Sequence, residues 1–157
     1  MPQQYHFITK WQIKAPVEKV YNAIYESNDW SNWWKSVLSV KDIVSGKERG
    51  IGDIKEYKWG TPLGYKLSFN MELTQREDNK LLAGEAKGEL EGTGIWYFSM
   101  KDYITYVEYH WTVATTKEWM NLLSFMLKPA FKYNHDAVMR SGAIGLAKKL
   151  NAELVGC

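Results

Sequence analysis

Cysteine is almost absent from this sequence of 157 residues, which has 1 Cys, 4 Pro and 12 Gly. The one cysteine, Cys157, has no partner within the chain, so no intrachain disulfide can form. This composition favours a reducing, cytoplasmic location. A chain of this length buries roughly 70% of the surface of its unfolded form, which is enough for a core without covalent cross-links. We therefore expect one domain over residues 1–157.

The sequence also lacks the features of a secreted, membrane-spanning or nucleic-acid-binding protein. The first four residues, MPQQ, do not begin a basic and apolar signal segment. The longest strongly apolar stretch, residues 119–127, is far shorter than the ~20 residues of a membrane span. The 20 Lys and Arg are scattered among 18 Asp and Glu, so no basic patch indicates nucleic acid. We therefore expect no nucleic-acid partner and no integral membrane segment. The oligomeric state is left open.

Chemistry-bearing motifs are missing as well. His6, His110 and His135 lie far apart without metal-ligand spacing. The chain has no glycine-rich phosphate loop, no nucleophile elbow, and no recognisable spacing of Ser, His and Asp. We therefore assign no catalytic residue, no metal and no cofactor, and we leave open whether the protein is an enzyme.

Aromatic residues, in contrast, are abundant. The chain has 8 Trp, 10 Tyr and 5 Phe, together 15% of its residues. A buried Trp needs a partner for its indole N–H, so this many exceed what core filling ordinarily demands. Two explanations remain open: a bulky core, or a cavity lined by aromatic rings.

The first part of the chain predicts one strand and two short helices. Residues 5–13 alternate between two faces, which is typical of a strand. Pro16 suits the first turn of a helix, and one apolar stripe at helical spacing follows it: Val17, Val20, Tyr21 and Ile24. Three tryptophans with the same spacing predict the second helix: Trp30, Trp33 and Trp34.

The rest of the chain predicts six strands followed by helix. From residue 37 to 115 the apolar period is two, and five turns divide this stretch: residues 45–50, 60–64, 77–79, 91–93 and 101–102. Residues 117–154 have a helical pattern, with a short segment over 119–127, a break at Pro129 and a long helix to about residue 150. Helices beside an antiparallel sheet define an α+β domain.

Turn positions also predict which residues face each other. The expected partners are Tyr57 with Leu67, Phe69 with Ala86, Ala86 with Phe98, Phe98 with Thr105, and Asp42 with Asp53. The hairpins after residue 53 bring apolar residues together on one face, which we take as the inward face.

One strand has unusually small inward residues, among them Gly84, Ala86 and Gly88. They either let large neighbouring side chains interdigitate or leave room for a ligand. On the second hypothesis, Leu in place of Ala86 or Gly88 would fill that room.

The long helix has one continuous face directed at the sheet: Phe131, His135, Met139, Gly142, Leu146 and Leu150. His135 on this face is either a core residue with local partners or a group that contacts ligand or transfers protons. Gly142 lowers helix propensity, which indicates close backbone approach or space.

Polar groups also fall on the inward face of the sheet. Asp42, Asp53 and Lys55 lie on a solvated rim, or they anchor a polar part of a ligand, since unpaired charges are costly in a dry core. Tyr57 and Tyr109 offer inward hydroxyl groups, which either contact a ligand or belong to core tyrosines whose O–H groups are satisfied.

Several phrases resemble the START-like or SRPBCC (Bet v 1-like) superfamily, in particular its polyketide cyclase/dehydrase-like branch. They are IKAP at residues 13–16, WSNWW at 30–34, GTPLGY at 60–65, GELEGTGIW at 88–96 and YNHDAVM at 133–139. The resemblance covers nearly the whole chain. It implies a helix-grip fold, in which a curved seven-stranded antiparallel sheet wraps around a long C-terminal helix, with two short helices after the first strand.

The resemblance also implies a cavity for lipids, sterols, polyketides or other apolar molecules. We therefore predict a soluble protein that binds a hydrophobic small molecule between sheet and helix. The candidate binding residues are Lys55, Tyr57, Leu67, Phe69, Trp96, Phe98, Tyr109, Trp111, Phe131, His135 and Met139.

Two alternatives stay open. One is a cyclase or dehydratase that uses the same cavity and moves protons through His135 or a tyrosine. The other is a co-chaperone-like module that binds a protein partner through exposed Trp30, Trp33 or Trp34. Burial of those three rings would remove the surface that this second alternative requires.

Overall fold

A computed structural model describes residues 4–116, 118 and 124–157. In this part of the chain the strands are β1 (Gln4–Lys14), β2 (Val37–Val44), β3 (Ile54–Gly60), β4 (Lys66–Glu77), β5 (Leu81–Gly88), β6 (Leu90–Lys101), β7 (Ile104–Thr115) and β8 (Glu153–Gly156). The helices are α1 (Val17–Tyr25), α2 (Trp30–Trp33) and α3 (Ser124–Lys149). The α+β class and the two short helices after the first strand are therefore confirmed.

The strands form one curved antiparallel sheet in the order β2-β3-β4-β5-β6-β7-β1-β8. The prediction of seven strands is wrong by one, because β8 follows α3 and pairs with the end of β1. A strand of four residues has too few alternating positions to be distinguished from the end of a helix by pattern alone. The sheet and α3 together form the predicted helix-grip fold.

Four hairpins have the predicted inward face but different partners. The observed pairs include Asp42 with Lys55, Tyr57 with Phe69, Phe69 with Gly88, and Phe98 with Val107. Each register differs from the prediction by two residues, and side chains alternate with the same period, so the inward set is unchanged. One cause is the turn between β6 and β7, where Asp102 and Tyr103 both have positive φ. Tyr is an unusual residue for such a turn.

The predicted turn over residues 91–93 is wrong. β6 begins at Leu90, and Ala86 pairs with Gly92 instead of Phe98. A side chain at Gly92 would collide with the backbone of Thr112 on β7, and Gly92 has a φ of 153°. This glycine therefore permits close contact between strands and does not mark a turn.

The predicted break at Pro129 is also wrong, because α3 continues through this residue. Proline has no backbone N–H, so Pro129 leaves one hydrogen bond of the helix unmade without ending the helix. The short helical segment expected over residues 119–127 lies mostly outside the described residues. The helix ends at Lys149, close to the predicted position.

The second half of α3 packs into the core. Ala143 and Leu146 are fully buried there, together with Trp11 of β1. Gly142 lies against the ring of Trp34, whose Cε2 would be 2.5 Å from an added Cβ. Trp34 also donates its indole N–H to the carbonyl of Val138 at 2.8 Å. Close approach, and not spare room, therefore accounts for Gly142.

Candidate functional site

A cavity of about 430 Å³ lies between the inner face of the sheet and residues 131–139 of α3. Side chains of α3 line it from one side, including Phe131, Val138 and Met139. Opposite them are rings from the central strands, including Trp96 and Trp111. This volume is in the range of small-molecule sites, and most of the lining is apolar, as is usual for such sites.

All of the predicted binding residues except Phe98 line this cavity: Lys55, Tyr57, Leu67, Phe69, Trp96, Tyr109, Trp111, Phe131, His135 and Met139. Phe98 is buried elsewhere, with its ring 5.3 Å from that of Tyr21 on α1. The shift in the β6–β7 register does not explain this, since Phe98 is inward as predicted. It lies farther along β6, beyond the end of the cavity. Binding by the other ten residues stays a prediction.

The small residues of β5 do not create the cavity in the way that the sequence suggested. Gly84 lines the cavity, but Ala86 and Gly88 are not among its lining residues. An added Cβ at Gly84 would lie 2.9 Å from the carbonyl oxygen of Glu72 and 3.0 Å from the Cε of Met71. An added Cβ at Gly88 would lie 3.1 Å from the Cα of Phe69, and its φ of 127° would strain any other residue. At Gly94 of β6, the space is taken by the Tyr109 hydroxyl, 2.5 Å from an added Cβ. Interdigitation with large neighbours therefore explains these positions.

Charged residues of β2 and β3, together with Asp53 just before β3, form a polar rim. The Lys55 ammonium donates to Asn28 at 2.6 Å and lies 3.8 Å from Asp42, which is largely exposed. Asp53 accepts a hydrogen bond from the backbone N–H of Gly46 at 2.6 Å. Asn28 is exposed and also lines the cavity, so the cavity meets solvent at this rim. The solvated-rim explanation therefore fits Asp42, whereas Lys55 and Asp53 contribute to both rim and cavity.

Two inward tyrosines, Tyr57 and Tyr109, carry neutral hydroxyl groups in the interior. The hydroxyl of Tyr57 is hydrogen-bonded to that of Ser27 at 2.7 Å. Burial raises the pKa of Tyr57 to about 12, and burial also raises the pKa of Tyr109 well above its usual value. Both phenols therefore remain protonated at neutral pH and can act as neutral hydrogen-bonding groups.

His135 lies on the cavity side of α3, with its ring stacked on that of Phe7 at 4.3 Å between centroids. Its side chain is 11% exposed, and neither ring nitrogen has a hydrogen-bond partner in the protein. Burial lowers the pKa of His135 to about 4, although Asp136 at 3.8 Å acts in the opposite direction. The ring is therefore neutral at pH 7, and the local partners expected of a core histidine are missing.

Sequence reasoning missed further lining residues: Tyr5, Phe7, Trp59, Tyr65 and Asn134. The alternation of β1 had placed Tyr5 and Phe7 on one face, which is a signal that could have added them. Asn134 precedes His135 on α3, and its side-chain amide donates to the hydroxyl of Tyr65 at 2.6 Å. No helical pattern marks an asparagine as buried, so this residue could not have been found from its spacing.

The tryptophans of α2 and its C-terminal flank are mostly internal. Trp30 and Trp34 are 7% and 1% exposed, and Trp33 is half-buried against the core. Trp30 donates its indole N–H to the carbonyls of Ala23 and Ile24. The exposed tryptophan surface needed for the co-chaperone-like alternative is therefore not present at these three residues.

Within the described ranges, no group of three or more His, Cys, Asp or Glu side chains could hold a metal ion. Among the helices described, none is long and apolar enough to cross a membrane.

Several solved structures are similar to this chain in fold. The Zhui aromatase/cyclase from Streptomyces sp. R1128 has a TM-score of 0.76 at 8% identity, covering 95% of this chain and 94% of that one. The protein TTHA0849 from Thermus thermophilus has a TM-score of 0.74 at 17% identity, with 92% and 99% covered. No family model and no curated protein matches the chain.

The di-domain aromatase/cyclase BexL, from the BE-7585A biosynthetic pathway, has a TM-score of 0.73 at 14% identity. The match covers 96% of this chain and 51% of BexL, so the chain spans about half the length of that protein, as it does for the di-domain StfQ. At such identities the likeness concerns the fold. These structures thus confirm the helix-grip fold that the resemblance implied.

Proposed function

We propose that this protein binds a hydrophobic small molecule, lipid-, sterol- or polyketide-like, in the cavity between sheet and α3. The observation that carries the proposal is the cavity of about 430 Å³ lined mainly by aromatic and aliphatic side chains. Burial of apolar ligand surface would stabilise the complex by ~25 cal/mol per Å², before the costs of immobilisation are subtracted. The tyrosine hydroxyls and the polar rim would orient the ligand.

The test is a titration with N-phenyl-1-naphthylamine, a neutral apolar dye that fluoresces in dry sites. We expect one dye per chain and competition by other apolar molecules. In Leu67→Trp, a larger ring would occupy part of the cavity, and we expect dye affinity to fall at least about tenfold. The matched control is Lys66→Trp, which adds the same ring to the exposed face of β4.

The proposal fails if the folded wild-type protein does not bind the dye, or if Leu67→Trp binds it as tightly as the parent. Circular dichroism and thermal unfolding should show that both variants are folded. These two measurements distinguish a variant that does not bind because its cavity is filled from one that does not bind because it is unfolded.

A cyclase or dehydratase acting in the same cavity is the second candidate. It is supported by the likeness to Zhui and BexL, which are described as aromatase/cyclases, and by the unpaired ring nitrogens of His135. This candidate predicts that His135→Ala loses turnover of a polyketide-like substrate while the variant still binds it. Unchanged turnover in the variant would exclude a role for His135 in proton transfer.

A further inference from the structure

Unpaired polar atoms are concentrated around the cavity. Six described residues have buried side-chain nitrogen or oxygen atoms without a hydrogen-bond partner in the protein, and four of these residues line the cavity: Tyr5, Trp59, Asn134 and His135. Buried polar groups in folded proteins are nearly always paired, so such a group at a cavity is a candidate for pairing with a ligand.

Three of the four residues lie together at one end of the cavity. Asn134 and His135 are consecutive on α3, and Tyr5 of β1 packs edge-on against Phe131, one turn earlier on the same helix, with 5.1 Å between ring centroids. Phe7, two residues along β1 from Tyr5, stacks on His135. Asn134 and Tyr5 are 4% and 3% exposed, so this end is well shielded from water.

This end of the cavity offers both hydrogen-bond donors and hydrogen-bond acceptors. Tyr5 has a free hydroxyl, and burial raises its pKa, so it remains a donor at neutral pH. The amide nitrogen of Asn134 is already bonded to Tyr65, which leaves its carbonyl oxygen as an acceptor. The neutral ring of His135 offers one donor and one acceptor.

The two charged side chains that act on His135 neutralise each other. The charged groups that act on His135 are Asp136 and Lys132, and these two residues pair with each other at 2.6 Å. The same end of the cavity thus presents donors and acceptors but no free cation among the described side chains. An anionic group placed here would lose its hydration without gaining an ion pair.

We propose that Tyr5, Asn134 and His135 bind the hydroxyl group of an otherwise apolar alcohol or phenol. A hydroxyl both donates and accepts, so it can pair with the Asn134 carbonyl and the Tyr5 hydroxyl at once. A carboxylate only accepts, and it would leave the Asn134 oxygen unpaired. This end of the cavity therefore favours alcohols and phenols over carboxylic acids of the same shape. Lys55 also lines the cavity, but its ammonium group lies at the polar rim and is already bonded to Asn28 at 2.6 Å. This inference rests on the proposed function, whose ligand class it narrows.

The test compares three molecules with the same ring system: naphthalene, 2-naphthol and 2-naphthoate. Each displaces N-phenyl-1-naphthylamine from the wild-type protein at pH 7. We expect 2-naphthol to bind at least about fivefold more tightly than naphthalene and about tenfold more tightly than 2-naphthoate.

Two variants locate the effect. Tyr5→Phe removes only an oxygen, and His135→Phe keeps a ring that can stack on Phe7 but removes both nitrogens. Each should lower the ratio of 2-naphthol affinity to naphthalene affinity about three- to tenfold. Tyr97→Phe, the same change on the exposed outer face, should not alter this ratio. If His135→Phe does not fold, the result with Tyr5→Phe alone tests the inference.

The outcomes distinguish this inference from the proposed function. Equal affinity for all three molecules, or tighter binding of 2-naphthoate, would overturn the inference while leaving apolar binding in place. Equal loss of naphthalene and 2-naphthol affinity in Tyr5→Phe would overturn it as well. If none of the three displaces the dye, the proposed function fails and the inference fails with it.

Discussion

Lowering the pH should destabilise this protein through His135. Burial lowers its pKa from 6.5 to about 4, with Asp136 opposing this change and Lys132 adding to it. In the unfolded chain the imidazole titrates near its usual value. Between these two values the unfolded state binds more protons than the folded state, so the free energy of unfolding decreases as the pH falls through this window.

The size of the effect follows from the two pKa values. One pKa unit corresponds to about 1.4 kcal/mol, so full protonation below pH 4 would cost about 3 kcal/mol of stability. Between pH 7 and pH 5 the part attributable to His135 is about 2 kcal/mol. That is a large share of the roughly 5–15 kcal/mol by which folded proteins are usually stable.

Urea unfolding of the wild type and of His135→Phe at pH 7 and pH 5 measures this contribution. The other titratable groups are present in both proteins, so the difference between the two pH dependences isolates His135. We expect the wild type to lose about 2 kcal/mol more than the variant. If the two proteins lose the same stability, His135 is protonated in the folded state at pH 5, and the argument from its burial is refuted.

Three further changes test individual contacts that hold the fold together. Gly142→Ala should lower the thermal unfolding temperature, because a methyl group 2.5 Å from the Trp34 ring costs about 1–3 kcal/mol and outweighs the gain of about 1 kcal/mol in helix propensity; higher stability would contradict this. Thr105→Val should cost about 1–3 kcal/mol in urea unfolding, since the buried Thr105 hydroxyl donates to the carbonyl of Ala15 at 2.7 Å; a change near zero would speak against that bond. Lys149→Ala should cost less than about 1 kcal/mol, since its aspartate partner is also partly exposed; a larger loss would show that this pair is more than a surface contact.

The inward face of the sheet could be predicted from the sequence, but the strand partners could not. Alternation fixes the face of residues such as Tyr57 and Phe69 whenever the register error is an even number of residues. The partners depend on where each turn begins, and the turn at Asp102 and Tyr103 has none of the glycine that usually marks positive φ. Gly92, in contrast, is a glycine that resembled a turn and lies within a strand.

Most of the cavity residues could also be predicted, because a residue on an inward face borders whatever the sheet encloses. The position along the strand decides whether it borders core or cavity, which is why Phe98 was assigned to the cavity and lies against Tyr21. Asn134 was missed for another reason: its burial depends on the hydrogen bond to Tyr65, a contact between distant parts of the chain. Periodicity carries no information about such contacts.

The space between the sheet and α3 should admit an apolar guest. A crystal structure of the protein saturated with N-phenyl-1-naphthylamine would show where that guest binds. We predict electron density for one dye molecule among Trp96, Trp111 and Met139, with the helix and sheet in the positions described above. A structure in which α3 packs directly onto those rings, with the dye on the surface or absent, would contradict the proposed binding.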